Sequence, residues 1–598
     1  MTTQATADLA DQSTYQPRPA KSCDVVMKGG ITSGVIYPKA ICELARQHRL
    51  RQVGGSSAGA IAAAAAAAAE LGRDSDSGGY ARLAALPGWL AETPDGDDDS
   101  NLFHLFQPQK STAPYYRLFV EHMKVKGGLA KFGVIAKAAL VGFPIRLLLP
   151  VLIGLAVGLI PVLVGGNGWD ALSVVAWMAL GLIVGTALVA LGAVKGFMNE
   201  VDANGYGLCR GAHQGDESGP PPLSDWLTDE LDQLAGITGR EHPLTFGDLS
   251  SAGVDLSMMT TGISTGTPYR LPFETKVWHF DPIELEGYFP QRVIDAMVAA
   301  APESADDVPD GYHRFPDADE LPVIVAVRMS LSFPVLLSAV PLWAFDYTKT
   351  DAAGNAPFRQ YWFSDGGIVS NFPLHFFDKP LPAAPTFGIN LAKRSNLAAN
   401  PADNTYLPTS NVSGILPRRF GFNGVVAFLM RILDTMQNWS DSQLTHMPGY
   451  RDRVVTVYHN DAEGGINLNM TEELINGLSE RGQAAGVKLA TEFDLTNHRW
   501  VRYRSTMQLI ETLLADYREG FEAGVPEGTP TFAEMIEDVP PPSYREGWNN
   551  AMKNSARQRS YENGDSLVKI AEKWAASQLT FAEGAPRPTP TMRIGPKV

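Results

Sequence analysis

Cysteine is scarce. The 598 residues hold three, Cys23, Cys42 and Cys209, with no C-x-x-C pair and no Cys/His cluster. That excludes a disulfide framework and a structural zinc site, and no metal or organic cofactor is expected. Positive charge is short as well. Lys and Arg number 49 against 65 Asp and Glu, for a formal net charge of −16. The basic face that nucleic acid requires is missing, so no nucleic-acid partner is expected. The opening MTTQATADLADQSTYQPRPAK lacks the charged and apolar regions of a signal peptide. Export by that route is not expected, and the sequons at Asn411, Asn438 and Asn469 read as chance matches. No G-K-[ST] follows the glycine-rich turns, which excludes a P-loop. Asp97-Asp98-Asp99 lacks the glycine and glutamate of an EF-hand and reads as a solvated loop.

Apolar residues are plentiful, at 45%. A chain of this length forms two or more structural units or carries insertions. Residues 1–20 read as a disordered leader. CDVVMK (23–28) is a short strand running into Gly29-Gly30, and Val35 to His48 has helical spacing. LRQV (50–53) is a second strand, followed by GGSSAG and the helix-forming run AIAAAAAAAAELG. Strand, glycine turn and helix, twice over, is the α/β pattern with a parallel sheet.

Residues 73–100 read as a solvated loop around a short helix. Two uncharged stretches follow, 147–164 and 171–194. At about 1.5 Å per residue, 18 to 24 helical residues reach roughly 27–36 Å, the thickness of a hydrocarbon core. The expectation is a transmembrane hairpin, with a buried soluble hairpin or a pair of helices dipping into one leaflet as the alternatives. Lys124, Lys126, Lys131, Lys137, Arg146 and Lys195 flank it, and the loop between has no basic residue. Positive charge stays inside, so both flanks, and with them both termini, are expected in the cytoplasm. The expected organisation is a core over 21–132, the hairpin insertion over 133–198, and more core over 199–400. An α-rich extension (401–575) and a flexible tail (576–598) complete it.

Three motifs carry chemistry. Gly55-Ser56-Ser57-Ala58-Gly59 is a G-x-S-x-G between strand and helix, the pattern of a nucleophile elbow. Upstream, Lys28-Gly29-Gly30-Ile31-Thr32-Ser33-Gly34 is a glycine turn after a strand, able to aim backbone N–H groups at an oxyanion, together with that of Ala58. Downstream, Ser364-Asp365-Gly366-Gly367 puts a carboxylate at a strand end, where sites of α/β proteins gather. Each has a plain alternative: a helix start, a strand-to-helix turn and a hairpin turn.

In this order the three motifs resemble the patatin-like phospholipase family, with its glycine-rich oxyanion loop, G-x-S-x-G and D-G-[GA]. VRMSLSFPVLLSAVPL (327–342), TTGISTGTPYRLPF (260–273) and NFPLHFF (371–377) fit it too. The resemblance covers 23–70 and 240–395, and implies Ser57 as nucleophile and Asp365 as its sole partner. Gly29, Gly30 and Ile31, with Ala58, would form the oxyanion hole; Gly34, Gly55, Gly59, Gly366 and Gly367 complete the motifs. The family usually has a third glycine where Ile31 stands, and often Arg or Lys where Ser33 stands. Ser57 and Asp365 are 308 positions apart, which the inserted hairpin explains.

The implied protein is a patatin-like α/β core with a parallel-rich sheet, interrupted by a transmembrane hairpin and extended by C-terminal helices. Its implied activity is phospholipase A or lysophospholipase chemistry through an acyl-enzyme, with membrane lipids as substrate. The alternatives are a catalytically silent membrane-anchored scaffold, a pore-forming or helix-oligomerising membrane protein with an enzymatic regulator, a lipid acyltransferase and a Ser-His-Asp hydrolase. The last has no HGGG-type loop, and His375 and His446 read as structural residues.

Overall fold

The computed structural model describes residues 8–94, 97, 99–124, 144–163, 170–213, 219–303, 308–409, 428, 432, 435, 438, 441, 444–460, 462–464, 467–523, 528–537, 553–577 and 580–590. Among these, an eleven-stranded sheet is the centre of the molecule. β1 (Lys21–Met27) and β2 (His48–Ser56) are joined through a 3-10 turn, Ile31–Ile36, and α1 (Tyr37–Ala45). β3 (Asp255–Gly262) is followed by β4 (Thr267–Leu271), β5 (Val340–Phe345), β6 (Phe358–Asp365), β7 (Thr386–Lys393) and β8 (Val454–His459). From one side the principal order is β8, β7, β1, β2, β3, β6, β5.

The first five of these run parallel. β6 then enters antiparallel to β3 and to β5. That reversal sets the site. Ser56 is level with Met259 on β3, and Asp365 is level with Thr260, the next residue. The end of β2 and the end of β6 therefore meet at one edge, across a single strand.

α2 (Ala58–Leu71) leaves that edge and runs under the sheet. Its alanines are what allow it there: Ala63, Ala64, Ala66, Ala67, Ala68 and Ala69 are fully buried. A methyl side chain lets a helix approach its neighbours closely and loses no rotamer freedom. α3 (Gly79–Ala91) packs on α1 and α2. This thirteen-residue helix is longer than the short helix expected within 73–100, with Leu83, Leu86 and Leu90 turned to the core.

The two apolar stretches form α4 (Pro144–Leu163) and α5 (Asp170–Ala203), packed on each other with Gly154 against the backbone of Trp177. Here the structure corrects the expectation. Among the described residues, no helix is long and apolar enough to cross a membrane. The last turns of α5 are polar, with Lys195, Asn199, Glu200 and Asp202, and lead into the core at Val201. The transmembrane hairpin, the two spans 147–164 and 171–194, and the multi-pass placement with cytoplasmic flanks therefore do not hold. Leu152, Ile153, Ile183 and Leu191 are exposed on the pair.

α6 (Leu223–Ala235) packs on α2, and α7 (Val323–Ser330) lies against β3 and β6. α8 (Glu472–Glu492) covers α1, while α9 (Leu495–Glu522) packs with α10 (Lys553–Ala575). Two boundaries differ from expectation. β8, placed in the α-rich extension, is a strand of the main sheet beside β7. Tyr15, placed in the disordered leader, is buried, with its carbonyl accepting from Arg73. Lys126, Lys131, Lys137, Asp98, Asn411, Trp439, residues 1–7 and the end of the tail lie outside the described residues.

Candidate active site

The elbow follows from the end of β2 arriving directly at the start of α2. Ser57, between them, has φ 58° and ψ −130°, left-handed backbone that L side chains rarely adopt. Such a conformation costs on the order of 1–3 kcal/mol and persists only where the surroundings impose it. Here they do. A Cβ on Gly55 would lie 2.2 Å from the carbonyl oxygen of Gly59, and one on Gly59 would lie 2.3 Å from that of Met27. Glycine is the only residue type that fits this close strand–helix approach at either position. Ser57 is buried, and its N–H donates to Oγ of Ser330 at 3.2 Å.

Asp365 comes in from the other side, also buried. Three hydrogen bonds pin its backbone and that of Ser364. Its N–H donates to the carbonyl of Ser332 (3.0 Å), its carbonyl accepts from the Thr261 hydroxyl (2.8 Å), and the Ser364 carbonyl accepts from Thr260 (2.8 Å). Arg328, fully buried, donates to Oγ of Ser332 at 2.6 Å and to the carbonyls of Arg210 and Ser338. Burial pushes the Arg328 guanidinium down to about 10. Oδ1 of Asp365 accepts the Gly367 N–H at 2.6 Å. Oδ2 is buried without a hydrogen-bond partner among the described residues. Burial pushes the carboxyl up from 3.8 to about 7; the Ser57 hydroxyl and the Gly367 N–H act in the opposite sense, more weakly.

The glycine turn sits over Ser57. The position a Cβ would take on Gly29 is 2.9 Å from Cβ of Ser57. The Gly29 N–H, expected to face an oxyanion, instead donates to the carbonyl of Asn371 at 2.8 Å. The reason is the 3-10 turn that starts at Ile31 with Gly30 as its cap. It leaves the N–H of Ile31, and that of Ala58 opening α2, as first-turn donors without a partner in their own helices. Ser33, where the resemblance leads one to look for a basic side chain, closes the turn by donating to the Gly30 carbonyl at 2.8 Å. Gly34 lies against Ala58, Gly366 against the Met259 carbonyl, and Gly367 between Asp365 and Asn371. His375 meets Phe376 edge to face and bonds neither Ser57 nor Asp365 among the described residues.

An apolar slot of about 90 Å³ begins at Thr32, Gly34 and Ala58 and runs between α1, α2, α3 and α6. Ala62, Ala65, Leu86, Leu90 and Trp226 are among its walls. Among the described residues no group of His, Cys, Asp and Glu could hold a metal ion.

No family model matches the chain. Two solved structures overlay on it only loosely: VipD from Legionella pneumophila, 13% identical over 93% of this chain and 86% of that one, with a TM-score of 0.27, and the type III effector protein ExoU, 13% identical over 94% and 76%, with a TM-score of 0.26. At those scores neither bears on fold or activity. The sequence comparison is of a different order. The RpoH suppressor of Rhizobium meliloti (strain 1021) is 34% identical across 97% of this chain and 99% of its own length. With that identity sustained along almost the whole of both chains, the protein belongs to the RpoH suppressor family.

Proposed function

We propose that the protein is a serine acyl hydrolase acting on lipids, with Ser57 as nucleophile and Asp365 as base. One observation carries the reading: a serine held in a strained elbow at a helix N-terminus, beside a buried carboxyl with one oxygen anchored and the other unpartnered. An exposed aspartate is a weak base. One raised to about 7 by burial matches the proton it must take at neutral pH.

Oδ2 of Asp365 accepts the Ser57 proton as Oγ attacks the ester carbonyl carbon. The oxyanion forms at the N-terminus of α2, where the N–H groups of Ala58 and Ile31 and the helix dipole favour negative charge. Collapse expels the alcohol, which takes the proton from Asp365. Water, deprotonated by the same carboxyl, then attacks the acyl-enzyme, releases the fatty acid and returns the proton to Ser57. The lipid class is supported by the slot, which starts at Ala58 and is lined almost wholly by hydrocarbon side chains. The order of the three motifs, similar to that of patatin-like phospholipases, supports the same reading. A phospholipase A or lysophospholipase is the proposed form.

The test is fatty-acid release from a mixed lipid and lysolipid panel by wild type, Ser57→Ala and Asp365→Ala. Release by wild type alone is the expected result. Release that persists in Ser57→Ala would overturn the mechanism, and none by wild type from any lipid would overturn the activity.

A further inference from the structure

Asp441 is far from both motifs in sequence and buried. Its carboxylate accepts three hydrogen bonds from one short loop: from Oγ of Ser370 (2.8 Å), from the N–H of Asn371 (2.7 Å) and from the N–H of Phe372 (2.8 Å). Asn371 is the residue on which the site converges. Its carbonyl accepts the Gly29 N–H, and its Oδ1 occupies the space beside two glycines, 2.1 Å from where a Cβ on Gly29 would stand and 2.8 Å from that on Gly367. Gly29 belongs to the turn over Ser57. Gly367 anchors Oδ1 of Asp365. Asn371 is thus a wedge between the two loops that the proposed chemistry must keep in register.

A buried carboxylate is costly unless fully satisfied, and removing it leaves its buried donors unpaired. Three donors satisfy this one, two of them backbone N–H groups that no side-chain change on the loop removes. The loop has no ladder hydrogen bonds of its own, lying between β6 and β7.

We propose that Asp441 is a positioning residue for ester hydrolysis at Ser57, holding Ser370–Phe372 so that Asn371 sets the distance between the oxyanion turn and the Asp365 carboxyl. The inference rests on the proposed function. It adds a residue that none of the three motifs contains.

The experiment compares wild type, Asp441→Asn, Asp441→Ala and Ser370→Ala on a soluble short-chain nitrophenyl ester. Active sites are titrated to completion with a phosphonate that labels Ser57. Misplacement of a catalytic group by about 1 Å costs up to roughly 100-fold. The expected result is a kcat per titrated site that falls about 10- to 100-fold in Asp441→Asn, with KM within about twofold, and falls less in Ser370→Ala. A purely structural role would lower the number of titratable sites and leave kcat per site unchanged, which overturns the proposal. Should Asp441→Ala not fold, Asp441→Asn and Ser370→Ala decide on the same terms. Wild type that neither turns over nor labels at Ser57 would instead sink the hydrolase reading.

Discussion

The N–H of Gly367 donates to Oδ1 of Asp365 at 2.6 Å, which leaves Oδ2 as the oxygen for Ser57. Proton transfer through Oδ2 requires the ionised carboxylate. With the carboxyl raised to about 7, log(kcat/KM) should climb with pH at a slope of one below that point and level above it. A pH profile on a neutral ester, whose own ionisation is silent, checks this. A limb centred near 4 would mean that Asp365 is solvated as catalysis begins, and would remove burial from the argument.

The raised carboxyl also bears on stability. Its folded pKa lies above the unfolded value, so between about pH 4 and 7 the folded protein holds a proton that the unfolded chain has released. For this group, stability falls as pH rises across that window and is level above it. A rise from 3.8 to about 7 costs on the order of 4 kcal/mol at pH 8. Asp365→Asn carries no charge and avoids that cost. Its midpoint of unfolding in urea should exceed that of wild type clearly at pH 8 and little at pH 4, while activity is lost. Equal midpoints at both pH values would contradict the desolvated carboxyl.

Ser57 gives a third expectation, from backbone rather than charge. Its φ of 58° is unfavourable for any residue with a Cβ. Ser57→Ala removes the hydroxyl and keeps the strain; Ser57→Gly removes both. Both should be inactive. Glycine should be the more stable of the two by about 1 kcal/mol, since relief of roughly 1–3 kcal/mol of strain outweighs the extra freedom of glycine in the unfolded chain. Thermal unfolding of the pair decides the matter, and alanine at or above glycine would show that the elbow is not strained.

The contrast between Ser57 and Asp441 shows where legibility ends. Gly55 is demanded by the Gly59 carbonyl four residues on, and Gly59 by the Met27 carbonyl at the end of the neighbouring strand β1. Demands that meet at one turn leave a fixed spacing, and G-x-S-x-G can be read without coordinates. Asp365 is legible for a related reason, because D-G-G records a carboxylate held by an N–H two residues on. The direction of β6 is not written there: an antiparallel entry and a parallel one end in the same turn. Asp441 has no local signature, since its three donors lie 69 to 71 residues away and two are backbone groups. α3 is expected only as a short helix, its length masked by its neighbours. The polar run Arg73 to Ser77 dominates the window, though Leu83, Leu86 and Leu90 already have helical spacing. The hairpin is the opposite failure, where apolar length alone suggested a span.

The slot offers the last expectation, on chain length. Ala62 and Ala65 face it from α2, Leu86 and Leu90 from α3, and Trp226 from α6, where its ring stacks on Trp89 at 5.0 Å. If the acyl chain of the substrate lies there, a larger side chain at Ala62 shortens the space without touching Ser57 or Asp365. Ala62 is partly exposed, so the fold has room to accept leucine. Ala62→Leu should leave kcat/KM for butyrate esters near the wild-type value and lower it roughly 10-fold or more for long-chain esters, because displaced methylenes carry about 1–3 kcal/mol each. The measurement is a series of nitrophenyl esters of increasing chain length on both proteins. A parallel change at every length would place the acyl chain outside the slot. A crossover at intermediate length would show how far along α2 the chain reaches before it meets residue 62.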